Sequence, residues 1–452
     1  MHRKLVIMAA RAPVAEKKSG SPEPSRFRAT VRSLRHRNFQ LFFSGQLISL
    51  IGTWMQTVAQ AWLVYRITGS SLLLGVVGFA GQIPIFLLSP LGGLAADRWN
   101  RHKIVIGTQV ASMLLAFALA ALTLLHIVKT WEIITLAALL GAVNAFDIPG
   151  RQSFLIEMVS REDLMNAIAL NSSMFNGARI IGPAIAGILV SRIGEGWCFF
   201  ANAASYIAVI AGLLMMKLPP YRPVPAGTSP FEHIAEGFRY IQRTAPILAL
   251  ITLIGIVSLV AVPYSVLMPI FADQILHRGA HGLGILMGSA GVGALLGALS
   301  LASRHGVKGL GRVVGYAAAV FGVSLILFAF SKMFWLSAIL LVPVGFGVML
   351  QMSSSNTLIQ AMVPDELRGR AMAMYTMMFM GMAPIGSLLS GLLADWIGAP
   401  LTVAIGGVGA VIGAVLFLRK LPSLRFEAHQ LIDAQGLVAA EAPEEVAARG
   451  VS

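Results

Sequence analysis

Asp147 and Arg151 stand four residues apart in an otherwise apolar stretch, and they are the pair that most directly implies chemistry. Residues at i and i+4 share a helical face, so the carboxylate and guanidinium can pair. A desolvated carboxylate can also titrate and carry a proton. Arg179, in a second apolar stretch, is expected to face a protein interior and there to pair with an acid or meet an anionic substrate, because a charge facing lipid is costly. Gln56, Asn144 and Asn176 add uncharged polar groups that could line a cavity or bridge helices, as do Gln46, Gln60, Gln351 and Asn356. The candidate coupling and substrate residues are therefore Asp147, Arg151, Arg179, Gln56, Asn144 and Asn176. No catalytic residue is expected. The sequence has no Gly-x-x-x-x-Gly-Lys-Ser/Thr loop and no acid, base or metal cluster at ligand spacing. Cys198, the lone cysteine, allows neither an intrachain disulfide nor a cysteine-based metal site. Neither a cofactor nor a metal is expected, and energy must come from an ion gradient, most economically protons.

The elements that position these residues follow from hydrophobicity. Of 452 residues 56% are apolar and only 12% charged, where a soluble domain carries roughly 25% charged residues to wet its surface. The net charge of +14 raises nucleic acid as a partner. The basic residues fall between apolar runs rather than on one folded face, so the partner is a lipid bilayer and no nucleic acid is expected. Runs long enough to cross about 30 Å of hydrocarbon fall near 39–65, 72–96, 104–126, 131–157, 165–191, 196–216, 247–271, 282–302, 313–331, 334–361, 371–394 and 400–419. With both termini inside, the outer loops hold only Arg66, Lys129, Arg192, Arg278 and Lys332, while the inner loops and tails are rich in Lys and Arg. That asymmetry predicts cytoplasmic termini. The expected division is a cytoplasmic N-terminal tail at 1–36, a six-helix bundle at 37–216, a cytoplasmic linker at 217–246, a second six-helix bundle at 247–420 and a cytoplasmic C-terminal tail at 421–452. In the Pro-rich linker, Phe231, Ile234, Phe238 and Ile241 share one helical face suited to the membrane–water interface.

The bundles are related in sequence. A shift of 204 residues lays the fourth and fifth spans on the tenth and eleventh without a gap, with fifteen identities over 54 residues, several of them glycines. Six spans is an even offset, so the halves are parallel repeats related by an axis along the membrane normal, as in transporters that rock about a midplane site. The fold class expected is an all-α membrane protein of twelve transmembrane helices in two pseudo-symmetric six-helix bundles.

Between the second and third spans stands Gly93-Leu94-Ala95-Ala96-Asp97-Arg98-Trp99-Asn100-Arg101-His102-Lys103. It resembles the signature loop of the major facilitator superfamily, with Asn100 where that loop has Gly. Asn tolerates the left-handed conformation better than most residues. Gly93 permits close helix approach, and Asp97, with Arg98 and Arg101 beside it, is expected to pair with a basic group across the helix ends in a gate. The equivalent loop of the second half keeps Arg304, Lys308 and Arg312 but no acid. In the fifth span, Arg179-Ile180-Ile181-Gly182-Pro183-Ala184-Ile185-Ala186-Gly187 resembles the antiporter motif of exporters in this superfamily. Gly177, Gly182 and Gly187 are expected to pack tightly on a neighbour, and Pro183 to bend the helix. Ser387 replaces that proline in the eleventh span, so the kink is expected in one half only.

The passage Asn144-Ala145-Phe146-Asp147-Ile148-Pro149-Gly150-Arg151-Gln152, continuing through Glu162-Asp163-Leu164 to Gly182-Pro183, resembles the facilitator group that includes enterobactin exporters and transmembrane secretion effectors. The resemblance spans roughly 30–420 and implies a major facilitator fold, a location in the cytoplasmic (inner) membrane of a bacterium and export of a small molecule. The expected function is proton-coupled efflux of a siderophore, drug or other amphipathic metabolite by a monomer. The alternatives are proton-coupled import of a small solute or organic anion, and a non-transporting membrane sensor.

Overall fold

The computed structural model describes residues 32–160, 162–218, 239–304 and 306–448. Twelve helices among them are long and apolar enough to cross a membrane. In the N-terminal half these are α1 (Arg37–Thr68), α2 (Ser71–Arg98), α3 (Arg101–Leu124), α4 (Thr130–Met158), α5 (Leu164–Ile193) and α6 (Glu195–Leu214). The C-terminal half contains α7 (Ala245–Ile275), α8 (Gly279–Ala302), α9 (Leu310–Phe330), α10 (Phe334–Met362), α11 (Asp365–Ile397) and α12 (Ala399–Ala448). Leu114, Leu139, Ile188, Leu299, Leu327, Ile339 and Ile412 are exposed on the outside of these helices, where only hydrocarbon suits them. Trp131, Trp335 and Trp396 are exposed near helix ends, the place such amphipathic rings take at a membrane–water interface.

The repeat is present in the structure. α4 and α10 begin and end 204 residues apart, and α5 and α11 end at Ile193 and Ile397 with the same separation. The glycines that follow, Gly194 and Gly398, both take positive φ, 89° and 86°, where a Cβ would be strained. Each half repeats one set of pairings. In the first, α1 packs on α5 and α6, α2 on α4, and α3 on α4 and α6. The second matches it, with α7 on α11 and α12, α8 on α10, and α9 on α10 and α12. Two further pairings, α2 with α11 and α5 with α8, join the halves.

Local differences from the expected spans have local causes. α7 is not one regular helix: it is α-helical to Val260, passes through a 3₁₀ turn at Val262–Leu267 containing Pro263, and ends in a π-helical turn at Phe271–Ile275. Pro263 and Pro269 each remove a backbone donor within this irregular stretch. α12 passes its expected limit near 419 and continues to Ala448, and Leu421, Ala428, Leu431 and Ile432 pack against the main apolar core, to which both halves contribute. In the linker, Ile241 is buried in that same core rather than laid on an interface. Phe231, Ile234 and Phe238, and the N-terminal tail as far as Val31, lie outside the described residues. Proline is not confined to one half either, since α11 carries Pro384 three residues before Ser387.

Candidate functional site

Asp147 lies in the fourth helix with its side chain buried. Arg151 pairs with Oδ2 at 3.2 Å, the i,i+4 geometry expected of a helix face. The other oxygen, Oδ1, accepts from Thr108 Oγ1 at 2.8 Å and from Gln109 Nε2 at 2.9 Å, both on α3. A carboxylate removed from water in this way needs its lone pairs occupied and its charge balanced, and this cage supplies both. Thr108 and Gln109 could not be found from the sequence, because their register against α4 depends on helix rotation.

Gln56 does not stand free in a cavity. Its Oε1 accepts from Asn202 Nδ2 of α6 at 2.6 Å, and the Ser205 hydroxyl donates to Asn202 O at 2.6 Å in the same interior. This bond ties α1 to α6, so that Gln56 bridges helices, one of the two roles open to it from sequence. Asn176 is buried and donates to Ser172 O within its own helix. Asn144 is half-buried and makes no hydrogen bond among the described residues. The position in α10 that matches Asp147 is Gln351, which is buried with both amide atoms unpartnered among the described residues. The C-terminal half thus keeps a polar group at that place but loses the charge.

Arg179 is apart from this cage. It is half-buried at the middle of α5 with its guanidinium 5.6 Å from the ring centroid of Trp54, a cation–π contact. It pairs with no acid among the described residues. Phe175, one turn earlier, meets Trp54 edge-on at 5.6 Å between centroids.

Asp97 is exposed and has no ion pair or hydrogen bond among the described residues. Arg101 pairs instead with Glu157 of α4 at 3.0 Å and donates to Ala96 O. Asn100 has φ −63°, not the left-handed value; its Oδ1 accepts from Lys103 N and caps α3. Close approach falls to Gly92, whose Cβ position is occupied by the carbonyl of Ala145, whereas nothing lies within 4 Å of that position at Gly93.

The glycines of α5 also divide. A Cβ on Gly182 would stand 2.5 Å from Trp54 Cβ in α1, so this glycine packs within the half. Gly187 faces α8, with Gly284 Cα 3.0 Å from its Cβ position. The matching contact in the repeat joins Gly391 of α11 to Gly75 of α2, at 2.9 Å. Gly177 meets nothing within 4 Å and takes no part in the stripe. All four contacting glycines lie in the part of their helices remote from the chain termini, here called the far side. There Tyr65 of α1 also donates to Asp273 in the π-helical turn of α7 at 2.8 Å, a bond between the halves that sequence gave no reason to expect. On the terminal side, the N-terminal half is strapped by its own leading segment. Asp163, just before α5, accepts from Arg32, Arg35 (2.7 Å) and His36 (2.7 Å), which holds its carboxyl below the usual carboxylate range, the His36 bond contributing most.

A family model described as transmembrane secretion effector matches residues 28–449. The staphyloferrin A transporter of Staphylococcus aureus is 26% identical, over 83% of this chain and 94% of its own. The multidrug efflux pump Tap of Mycolicibacterium fortuitum is 28% identical over 82% and 93%, and an enterobactin exporter of Escherichia coli 25% over 86% and 93%. Among solved structures, a bacterial homologue of the iron transporter ferroportin, in an inward-facing state, superposes with a TM-score of 0.64 at 17% identity, over 85% of this chain and 98% of its own. The nucleoside transporter NupG gives 0.61 at 16% over 86% and 99%. The fold is that of the major facilitators.

Proposed function

The chain belongs to the transmembrane secretion effector family, and on that premise we propose that this secondary transporter exports a small amphipathic molecule from the bacterial cytoplasm by alternating access, in exchange for protons. The observation that carries the reading is the placement of the contacts between halves. Those found among the described residues run from mid-helix to the far side, through Gly187 with Gly284, Gly391 with Gly75, and Tyr65 with Asp273. Gly92 and Arg101, near the terminal side, are engaged within their own half. With both termini in the cytoplasm, as the loop charges favour, this is the conformation open to the cytoplasm and ready to load. Opening the other way requires the far-side contacts to separate and the terminal ends to meet. Asp97, exposed and without a partner among the described residues, is then free to bond a basic group of the opposite half.

The coupling acid in this reading is Asp147. Protonation removes the charge that holds Arg151 and weakens acceptance from Thr108 and Gln109, which loosens α3 from α4. Siderophores and drugs are the cargo classes suggested by the names of the relatives. The test uses everted vesicles from cells with and without the protein, energised by respiration and offered staphyloferrin A, enterobactin and ethidium. Protein-dependent accumulation of one of these supports export; protein-dependent acceleration of its loss would reverse the direction. Asp147→Asn is expected to abolish gradient-driven accumulation while sparing downhill exchange. If uphill transport survives, Asp147 is not the coupling acid.

A further inference from the structure

We infer that Arg179, with Trp54 beneath it and Phe175 alongside, is the subsite that receives the anionic group of the exported molecule, so that the cargo class is an amphipathic carboxylate. The inference deepens the export reading and rests on it for the direction in which the bound molecule leaves.

Three observations carry it. First, Arg179 is at the middle of a membrane-spanning helix, and a guanidinium there must find acceptors or keep water. Among the described residues it has neither a hydrogen bond nor an acidic partner. The acids nearest in role are already engaged, Asp147 with Arg151 and Asp273 with Tyr65. Second, the residue is directed toward the space between the halves. Its backbone carbonyl lies against Gly291 of α8 and that of Ile180 against Gly288, while its side chain lies on Trp54 of α1. Helices of both halves thus surround it at the level where the two bundles part. Third, the aromatic groups are placed for the rest of an amphipath. Trp54 orients the guanidinium through one face, and the edge-on pair it forms with Phe175, which is 45% exposed, leaves apolar surface beside the charge. A planar fork of donors matches a carboxylate in two-point contact, which a lysine cannot reproduce.

Such a site accounts for the cost of keeping an unpaired cation at mid-membrane. Binding an anion replaces the water on the guanidinium with a charge-assisted bond, and releasing it on the far side restores the hydrated state.

The experiment is equilibrium binding of 1-pyrenebutyrate and of its uncharged amide to the purified full-length protein in phosphatidylcholine nanodiscs. The two probes share an aromatic body and differ in one charge. The carboxylate is expected to bind about tenfold to a hundredfold more tightly than the amide, the range for a hydrogen bond to a charged group. Arg179→Gln is expected to bring that ratio to about one, with Arg179→Lys intermediate because it keeps the charge but not the fork. Equal affinity for the two probes in the unaltered protein overturns the inference, and so does a ratio unchanged by Arg179→Gln in protein that still elutes as a monodisperse species. Phosphatidylglycerol distinguishes a lipid headgroup from cargo: displacement of pyrenebutyrate by that lipid assigns the site to lipid and overturns the inference. Vesicles that export ethidium while pyrenebutyrate shows no charge preference would sink this subsite and leave the export reading standing.

Discussion

At the scale of single residues, the structure separates what a motif names from what a side chain touches. Gly93 occupies the motif position, yet its Cβ site is open, while the carbonyl of Ala145 fills that of Gly92. Gly92→Ala is therefore expected to lower stability by about 1–3 kcal/mol, the usual cost of overpacking a close contact. Gly93→Ala is expected to be neutral or to stabilise by up to about 1 kcal/mol through helix propensity. Thermal melting of the two purified variants checks the order, and a lower midpoint for Gly93→Ala would contradict it. The pairing of Asp147 with Arg151 was legible because both charges are on one helix, at a spacing that fixes their relation. The role of Gln56, cavity lining or helix bridging, stayed open in the sequence because its partner, Asn202, is 146 residues away on another helix. Hydropathy locates a helix along the chain but leaves its rotation undetermined, and rotation decides whether a polar side chain meets water, cargo or another amide.

At the scale of elements, the twelve spans and their repeat were legible because a bilayer demands long apolar runs and leaves little else to specify. What escaped the sequence is short, polar and tertiary. The 3₁₀ turn Arg32–Arg35 has no apolar periodicity, yet it straps the start of α5. Besides the three bonds to Asp163, Ser33 places both its backbone N–H and its hydroxyl on Asn166 Oδ1, and Arg32 donates to Glu162 O. Asp163 has a lowered pKa in this setting, first through His36 and then through Arg32 and Arg35. A carboxyl whose folded-state pKa lies below its unfolded one stabilises the fold at pH values above the unfolded pKa, and that contribution is lost as pH falls through the folded value. Protection of residues 32–36 from hydrogen exchange is therefore expected to persist down through the usual carboxylate range and to fail only below it. Asp163→Asn should remove the protection at every pH. A strap that loosens already near neutrality in the unaltered protein would assign its hold to something other than this carboxylate.

At the scale of the whole molecule, two symmetry-related glycine pairs and one tyrosine–carboxylate bond join the halves on the far side, so the balance between conformations depends on how closely α5 packs on α8 and α2 on α11 there. At Gly284 a Cβ would stand 2.5 Å from Pro183 O, and at Gly75 it would stand 2.6 Å from Ser387 O, the residue that takes the place of Pro183 in the repeat. Neither obstacle is the tip of a flexible side chain. The helices must separate to admit a methyl group, and they can do so at least cost by tilting the halves apart on that side. Gly75→Ala with Gly284→Ala is expected to shift the equilibrium toward the conformation closed on the terminal side. Overpacking at about 1–3 kcal/mol corresponds to roughly a fivefold to hundredfold change in population. Spin labels at Trp131→Cys and Trp335→Cys, two exposed far-side positions in opposite halves, would report a longer distance, and labels at Trp99→Cys and Ser303→Cys on the terminal side a shorter one. Gly177→Ala, on α5 but facing open space, is the control expected to leave both distances unchanged. If both label pairs keep their distances in the double variant, the glycine contacts do not govern the rocking of the halves. A lengthening confined to the far side, with no closure on the terminal side, would show instead that the halves flex independently and do not rock as rigid bodies.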